Sequence, residues 1–207
     1  MRSCQTSLVS VPHAHEIPSE VRHYHRRARQ PFLNLSDLYG VELDRVIAAL
    51  ADERSAGDNE RVFGRRYMDL RRRTESLMRE RFVARGGQPL RESPHYFVLG
   101  SSPWFEGSAA DIEAIVVPLA ALPEAHTSFT YPDSFTAMGL LPDYGLAYEP
   151  KPYHGEVFRL SELDSVVAEY GLPVDPGDAY EGYANRPFEL YVEVQLWSDE
   201  PVADWLS

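Results

Sequence analysis

The chain has 207 residues, 43% hydrophobic and 25% charged, with a net charge of −12 at pH 7. That length suits one domain with a sizeable core, and the balance is that of a globular protein rather than a disordered or membrane chain. No apolar run approaches the roughly 18 residues that span a bilayer. The single cysteine, Cys4, excludes an internal disulfide framework and suits a reducing compartment, so a cytoplasmic protein with no membrane partner is expected.

The net charge hides a division. Residues 1–91 carry 17 Arg and no Lys against 12 acidic residues, whereas residues 92–207 carry three basic residues against 20 acidic ones. Such asymmetry predicts either a basic face for a polyanion, centred on residues 61–91, or simply a solvated helix surface.

In chain order, residues 1–33 read as irregular, broken by Pro12, Pro18 and Pro31, with a domain proper expected from residue 22. Asn34, Ser36 and Asp37 offer caps for a helix whose apolar positions are Leu43, Val46, Ile47 and Leu50. A longer helix is expected over residues 60–84, with Phe63, Tyr67, Leu70, Thr74, Leu77 and Met78 inward, stopped by Gly86-Gly87. Strand signals follow at residues 96–99, 114–117 and 128–131. Residues 138–153 read as a long loop, residues 156–160 as a short strand, and Leu163, Val166, Val167 and Tyr170 as the inner face of a late helix. A last strand spans residues 188–197. Helices first and then mainly strands predict a single α+β domain with a mixed or antiparallel sheet. Neither common Gly-rich phosphate loop is present.

The last strand holds the richest polar constellation: Glu189, Tyr191, Glu193, Gln195 and Trp197 share one face opposite Leu190, Val192, Val194 and Leu196. This pattern fits either a solvent-facing sheet side or a cleft wall. On the long helix, Arg71 falls on the inward line and so requires an acidic partner or an anionic ligand. The pairs His13/His15 and His23/His25 have metal-ligand character but lack a third ligand in the pattern. No nucleophile elbow surrounds a serine.

Taken together, these segments resemble the DarT family, toxins that ADP-ribosylate DNA bases using NAD. Residues 192–197, Val-Glu-Val-Gln-Leu-Trp, followed by Pro201, are similar to the family's catalytic Glu strand, which implies Glu193 as catalytic. Residues 61–72 are similar to a helix ending in Arg-Arg, which implies Arg72, whereas the helix face favours Arg71; both stand as candidates. Pro94-His-Tyr-Phe97 with Ser102-Pro103 is similar to a second family strand and brings in Tyr96, while His23 and His25, with Asn34, stand where the family grips NAD. The resemblance implies an ADP-ribosyltransferase-type split sheet, NAD as substrate, a nucleic-acid acceptor and a neutralising antitoxin. A different class, a non-catalytic immunity or adaptor module with an acidic binding surface, is the alternative.

Overall fold

The computed structural model describes residues 16–57, 64–146, 148–174 and 189–206. Six strands form one sheet: β1 (Glu20–Arg26), β2 (His95–Leu99), β3 (Ile112–Pro118), β4 (Thr127–Thr130), β5 (Phe158–Arg159) and β6 (Glu193–Leu196), in the order β3-β1-β2-β6-β4-β5. Every pairing between them is antiparallel. The helices are α1 (Gly40–Ser55), α2 (Arg65–Ala84), α3 (Pro103–Glu106), α4 (Ser134–Ala137) and α5 (Leu163–Tyr170). This is an α+β fold with an antiparallel sheet, as the order of elements predicts. No helix among the described residues is long and apolar enough to cross a membrane.

The N-terminal expectation requires correction. Residues 20–26 are not irregular; they form β1 near the centre of the sheet, paired along its whole length with β3. The sequence Glu-Val-Arg-His-Tyr-His-Arg hides the strand because only Val21 is a buried aliphatic residue. Its stability comes from the neighbouring backbone, which no local pattern reports. The cap at Asn34 is also displaced: its side chain accepts from Ser36 N and closes a 3₁₀ turn over Leu35–Asp37, and α1 begins only at Gly40.

The two sides of the sheet are covered differently. One carries Val21, Phe97, Phe129, Val194 and Leu196, packed with Leu163, Val166 and Val167 of α5. The other carries Trp197, sealed by Met78 and Phe82 of α2 and by Val157. Because α2 covers this second side, the alternating polar face of β6 is not a solvent face, and Gln195 and Trp197 are fully buried. The long helix itself buries Met68, Thr74, Glu75, Met78 and Phe82. Thr74 and Met78 are inward as the period predicts, Tyr67, Leu70 and Leu77 are only partly buried, Phe63 lies outside the described residues, and the buried line includes a glutamate.

The helix stops as Gly86-Gly87 predicts. Gly86 adopts φ +86 and donates to Val83 O, and Gly87 N donates to Phe82 O, closing a Schellman motif. A Cβ on Gly87 falls 2.4 Å from the buried Phe82 ring. Gly87→Ala is therefore expected to cost about 1–3 kcal/mol through overpacking, read as a fall of several degrees in Tm; an unchanged Tm rejects the close approach.

The charge division resolves across the fold. Arg22 pairs with Glu20 and Glu106, Arg26 with Glu53 and Asp111, and Arg27 with Glu113. Arg85 pairs with Glu156 and Glu162, and Arg91 with Asp37 and Asp199. Several first-half arginines thus meet second-half acids, among them Glu106, Asp111, Glu113, Glu156, Glu162 and Asp199, while on α2 itself Arg71 pairs with Glu75 and Arg65 with Asp44.

Candidate functional site

The ladder between β1 and β2 ends early. Val21 pairs with Leu99 and Arg22 with Val98, yet both strands continue, β1 to Arg26 and β2 back to His95. Where the backbones part, the His23 ring bridges them: Nδ1 lies 2.9 Å from Tyr96 O and Nε2 accepts from Phe32 N at 3.0 Å. Since a carbonyl only accepts and an amide N–H only donates, the proton sits on Nδ1 and the ring is neutral. Burial first of all pushes His23 down to about 4, against the raising effect of the Tyr96 carbonyl. Both ring nitrogens are thereby used within the protein, so His23 offers a ligand its ring surface rather than a hydrogen bond.

His23 also holds an unusual turn. Phe32 is the one described non-glycine residue with positive φ, at 59°, and is nearly fully buried, its ring stacked 4.0 Å from that of His23. A left-handed phenylalanine costs on the order of 1–2 kcal/mol, which the stacked ring and the His23 bond offset. The turn delivers Asn34 to the cleft floor, where Nδ2 donates to Pro94 O and Oδ1 accepts from Arg71 Nη2 at 3.2 Å.

Arg71 is the centre of the polar network. Its Nε donates to Ser36 Oγ and Glu75 Oε1, both at 3.1 Å, its Nη1 to Tyr67 OH at 2.9 Å, and its guanidinium lies 4.5 Å from the Tyr96 ring centroid. Glu75 Oε1 also accepts from Tyr96 OH at 2.9 Å and Ser36 Oγ at 2.8 Å. Of the five guanidinium hydrogens, one on Nη1 and one on Nη2 have no partner among the described residues. Arg71 lines the cavity, so these donors can serve an anionic or carbonyl group there. Arg72 is directed elsewhere: it donates to Leu38 O, packs over Tyr39 and lines a separate groove. The two candidate arginines are therefore distinguished by place, and only Arg71 reaches the cleft.

Glu193 enters from β6. It accepts from Gln195 Nε2 at 3.2 Å, and Asp133, the N-cap of α4, and Ser134 line the same cavity. Burial pushes Glu193 up to about 7, with the Asp133 charge adding to it and Ser134, Gln195 and Arg71 opposing. Asp133 accepts from Phe135 N, Thr136 N and Thr136 Oγ1, yet burial still pushes it up to about 6. Two carboxyls of raised proton affinity thus line one cavity, an arrangement open to acid–base or charge-stabilising chemistry. The strand expected over residues 188–197 is shorter, since β6 begins only at Glu193; Glu189 lies before it and is turned away to Tyr153 OH and His154.

These groups line one cavity of about 260 Å³, with His23, Asn34, Arg71, Tyr96 and Glu193 in its wall beside Asp133 and Ser134. Two aromatic pairs flank it, Tyr24 with Phe105 (5.3 Å between ring centroids) and Tyr67 with Phe135 (5.8 Å). A second cavity of about 220 Å³ shares Phe32 and Leu33 with the first as wall residues and is otherwise lined by His25, Arg26, Arg29 and Glu53 with Val46, Leu50 and Ile112. His25 therefore belongs to this second cavity, its Nδ1 3.0 Å from Arg26 O. His13 and His15 lie outside the described residues.

Sequence reasoning missed Glu75, Asp133 and Ser134. Glu75 had a signal, since it stands four residues after the inward Arg71. Pro132-Asp133-Ser134 reads as an ordinary helix cap, and only the meeting of β4 with β6 places it against Glu193.

Comparison of the chain with protein-family models, with curated proteins and with solved structures returned no match.

Two outcomes follow from this chemistry. Glu75→Gln leaves the Arg71 charge buried without its anion, at a cost of about 3–5 kcal/mol. Combining it with Arg71→Met is expected to recover part of the loss, and a purely additive double-mutant cycle refutes the coupling. For Glu193, the folded value of about 7 lies above the ordinary 4.5. The native state therefore binds its proton more tightly than the unfolded chain does, and stability falls as pH rises from 4.5 through 7. The penalty is at most about 3 kcal/mol, so Glu193→Gln should raise Tm by several degrees at pH 8.5 and leave it unchanged at pH 4.5. Calorimetry across that range, with no pH-dependent difference, rejects the desolvated carboxylate.

Proposed function

We propose that this protein is an NAD-dependent mono-ADP-ribosyltransferase that modifies a nucleic-acid base. The observation that carries the reading is convergence. Residues marked by the family resemblance on four separated segments, His23, Asn34, Tyr96 and Glu193, line one cavity together with Arg71 of α2. Three further features support it. The strands bearing His23, Tyr96 and Glu193 are neighbours in the sheet, and the sheet opens between the first two. A second cavity shares the Phe32 and Leu33 wall with the first, so the two offer neighbouring places for the two halves of a dinucleotide. Aromatic pairs in the wall of the first cavity offer surfaces for flat rings.

The proposed chemistry needs a carboxylate and little else. The bond between nicotinamide N1 and ribose C1′ breaks, its electron pair leaving with nicotinamide, and the ribose becomes oxocarbenium-like. Glu193, ionised, stabilises that charge and accepts a ribose hydroxyl. Arg71 offers its two remaining N–H groups to phosphate or carbonyl oxygen. The acceptor nucleophile then bonds to C1′ and releases its proton to water, so that NAD and acceptor become the ADP-ribosylated product, nicotinamide and one proton. His23 contributes a wall and the geometry of the 32–34 turn.

Nicotinamide release from NAD, measured with and without single-stranded oligonucleotides, tests the reading directly. Because the ionised form of Glu193 is the active one, the rate should rise with pH through about 7. Glu193→Gln should slow release on the order of a hundredfold or more while NAD still binds. A folded wild type that neither binds nor consumes NAD removes the proposal.

A further inference from the structure

Glu193 does not hold its place alone. Behind it, on the buried side of β6 under α2, runs a chain of hydrogen bonds whose direction is set at its far end. Trp197 Nε1 donates to Ser128 Oγ at 2.9 Å, and Ser128 Oγ donates to Gln195 Oε1 at 2.9 Å. Gln195 Nε2 then donates to Thr130 Oγ1 at 3.0 Å and toward Glu193, whose Oε1 and backbone O both lie at 3.2 Å and share its second hydrogen. Trp197, Ser128, Gln195 and Thr130 are all fully buried, so water does not compete for these bonds.

The polarity follows from chemistry. An indole nitrogen can only donate, so the Ser128 oxygen is occupied as an acceptor and its one hydrogen is directed to Gln195. A hydroxyl that donates to the amide can do so only at its oxygen. The Gln195 amide is thereby held with its NH₂ toward Glu193 rather than its carbonyl, and the opposite orientation would set a lone pair against the carboxylate. The strand register makes the chain possible: Ser128 stands opposite Gln195 and Thr130 opposite Glu193 on β4 and β6. The stacked Phe82 ring, together with Met78, fixes Trp197 in turn.

We infer that Gln195 is the positioning residue of Glu193, oriented by Trp197 through Ser128, and that this relay keeps the carboxylate ionised and aimed into the cleft. The other groups that bear on Glu193 are Asp133 and Ser134 at the start of α4, Arg71 of α2, and Tyr96 of β2 with Glu75 behind it. Asp133 raises its proton affinity and Arg71 lowers it from the cavity side. Gln195 is the neutral donor that opposes Asp133 from beneath the sheet, where a cation would be buried without a partner. A hydrogen bond to a charged acceptor corresponds to about one to two pH units in the acceptor's titration.

The relay rests on the proposed reaction for its catalytic meaning but not for its measurement. The Glu193 carboxyl can be titrated by carbon NMR in protein labelled at glutamate, with Glu193→Gln identifying the signal. In Gln195→Met, which keeps the length of the side chain, Glu193 should titrate about one pH unit higher than in the wild type. Ser128→Ala frees the amide to turn and should move the titration in the same direction. Ser128→Thr keeps the hydroxyl and should return it toward the wild-type value. If Gln195→Met does not fold, the Ser128 pair carries the same comparison. In the nicotinamide assay the acid limb should move by the same amount, so that activity lost near neutral pH returns in alkali with KM little changed. A Glu193 titration in Gln195→Met and Ser128→Ala that matches the wild type overturns the inference. A shifted titration in a protein that never consumes NAD upholds the relay and removes only the reaction assigned to the site.

Discussion

The buried guanidinium of Arg71 is the constraint on which the site depends. A guanidinium cannot shed its proton, so taking it out of water demands an anion and a full set of acceptors. Glu75, one helical turn along, supplies the anion. Ser36, Asn34 and Tyr67 supply acceptors, and Tyr96 covers the cation and bonds the same glutamate oxygen. These groups come from α2, the turn before α1 and the second strand of the sheet. Satisfying one charge therefore fixes three segments relative to one another, on a side chain that also lines the cavity.

Around that fixed point the cleft divides its carboxyls by environment. Glu75 is saturated by donors and bound to a cation, which makes it structural. Asp133 caps a short helix. Glu193 is the desolvated one, beside a like charge and supported by neutral donors. Such a carboxylate costs stability when ionised, so the fold gains nothing from its charge. Holding it ionised requires donors that are themselves oriented, which is why burying a serine, a threonine and a glutamine beneath α2 is not wasteful: each of them has its partner.

The histidines show how a residue type misleads when its partners are unknown. A His-Tyr-His segment suggests ligands or a proton carrier. In the fold His23 is neutral and spends both nitrogens on Tyr96 and Phe32, acting as a brace where the β1–β2 ladder ends, while His25 lines the neighbouring lobe. The arginines teach the same lesson. Their crowding in the first half suggests a basic surface, and the fold pairs many of them with acids from the second half.

The sequence by itself determined the elements whose signals are local. The order of helices before strands, the stop at Gly86-Gly87, the inward place of Arg71 on the 3.6-residue period and the shared face of Glu193, Gln195 and Trp197 on the two-residue period are all legible without coordinates. Tertiary structure alone decided the rest. Strand β1 exists because β3 and β2 accept its backbone, not because its side chains announce it. That neither side of β6 meets solvent was decided by α2 lying over the polar face and α5 over the apolar one. That Arg71 and not Arg72 reaches the cleft depends on the turn of α2 against the Tyr96 strand. Asp133 meets Glu193 because β4 and β6, more than sixty residues apart in the chain, pair in one register. Periodicity reports a residue's face but not what will cover it, and proton affinity is set by that covering.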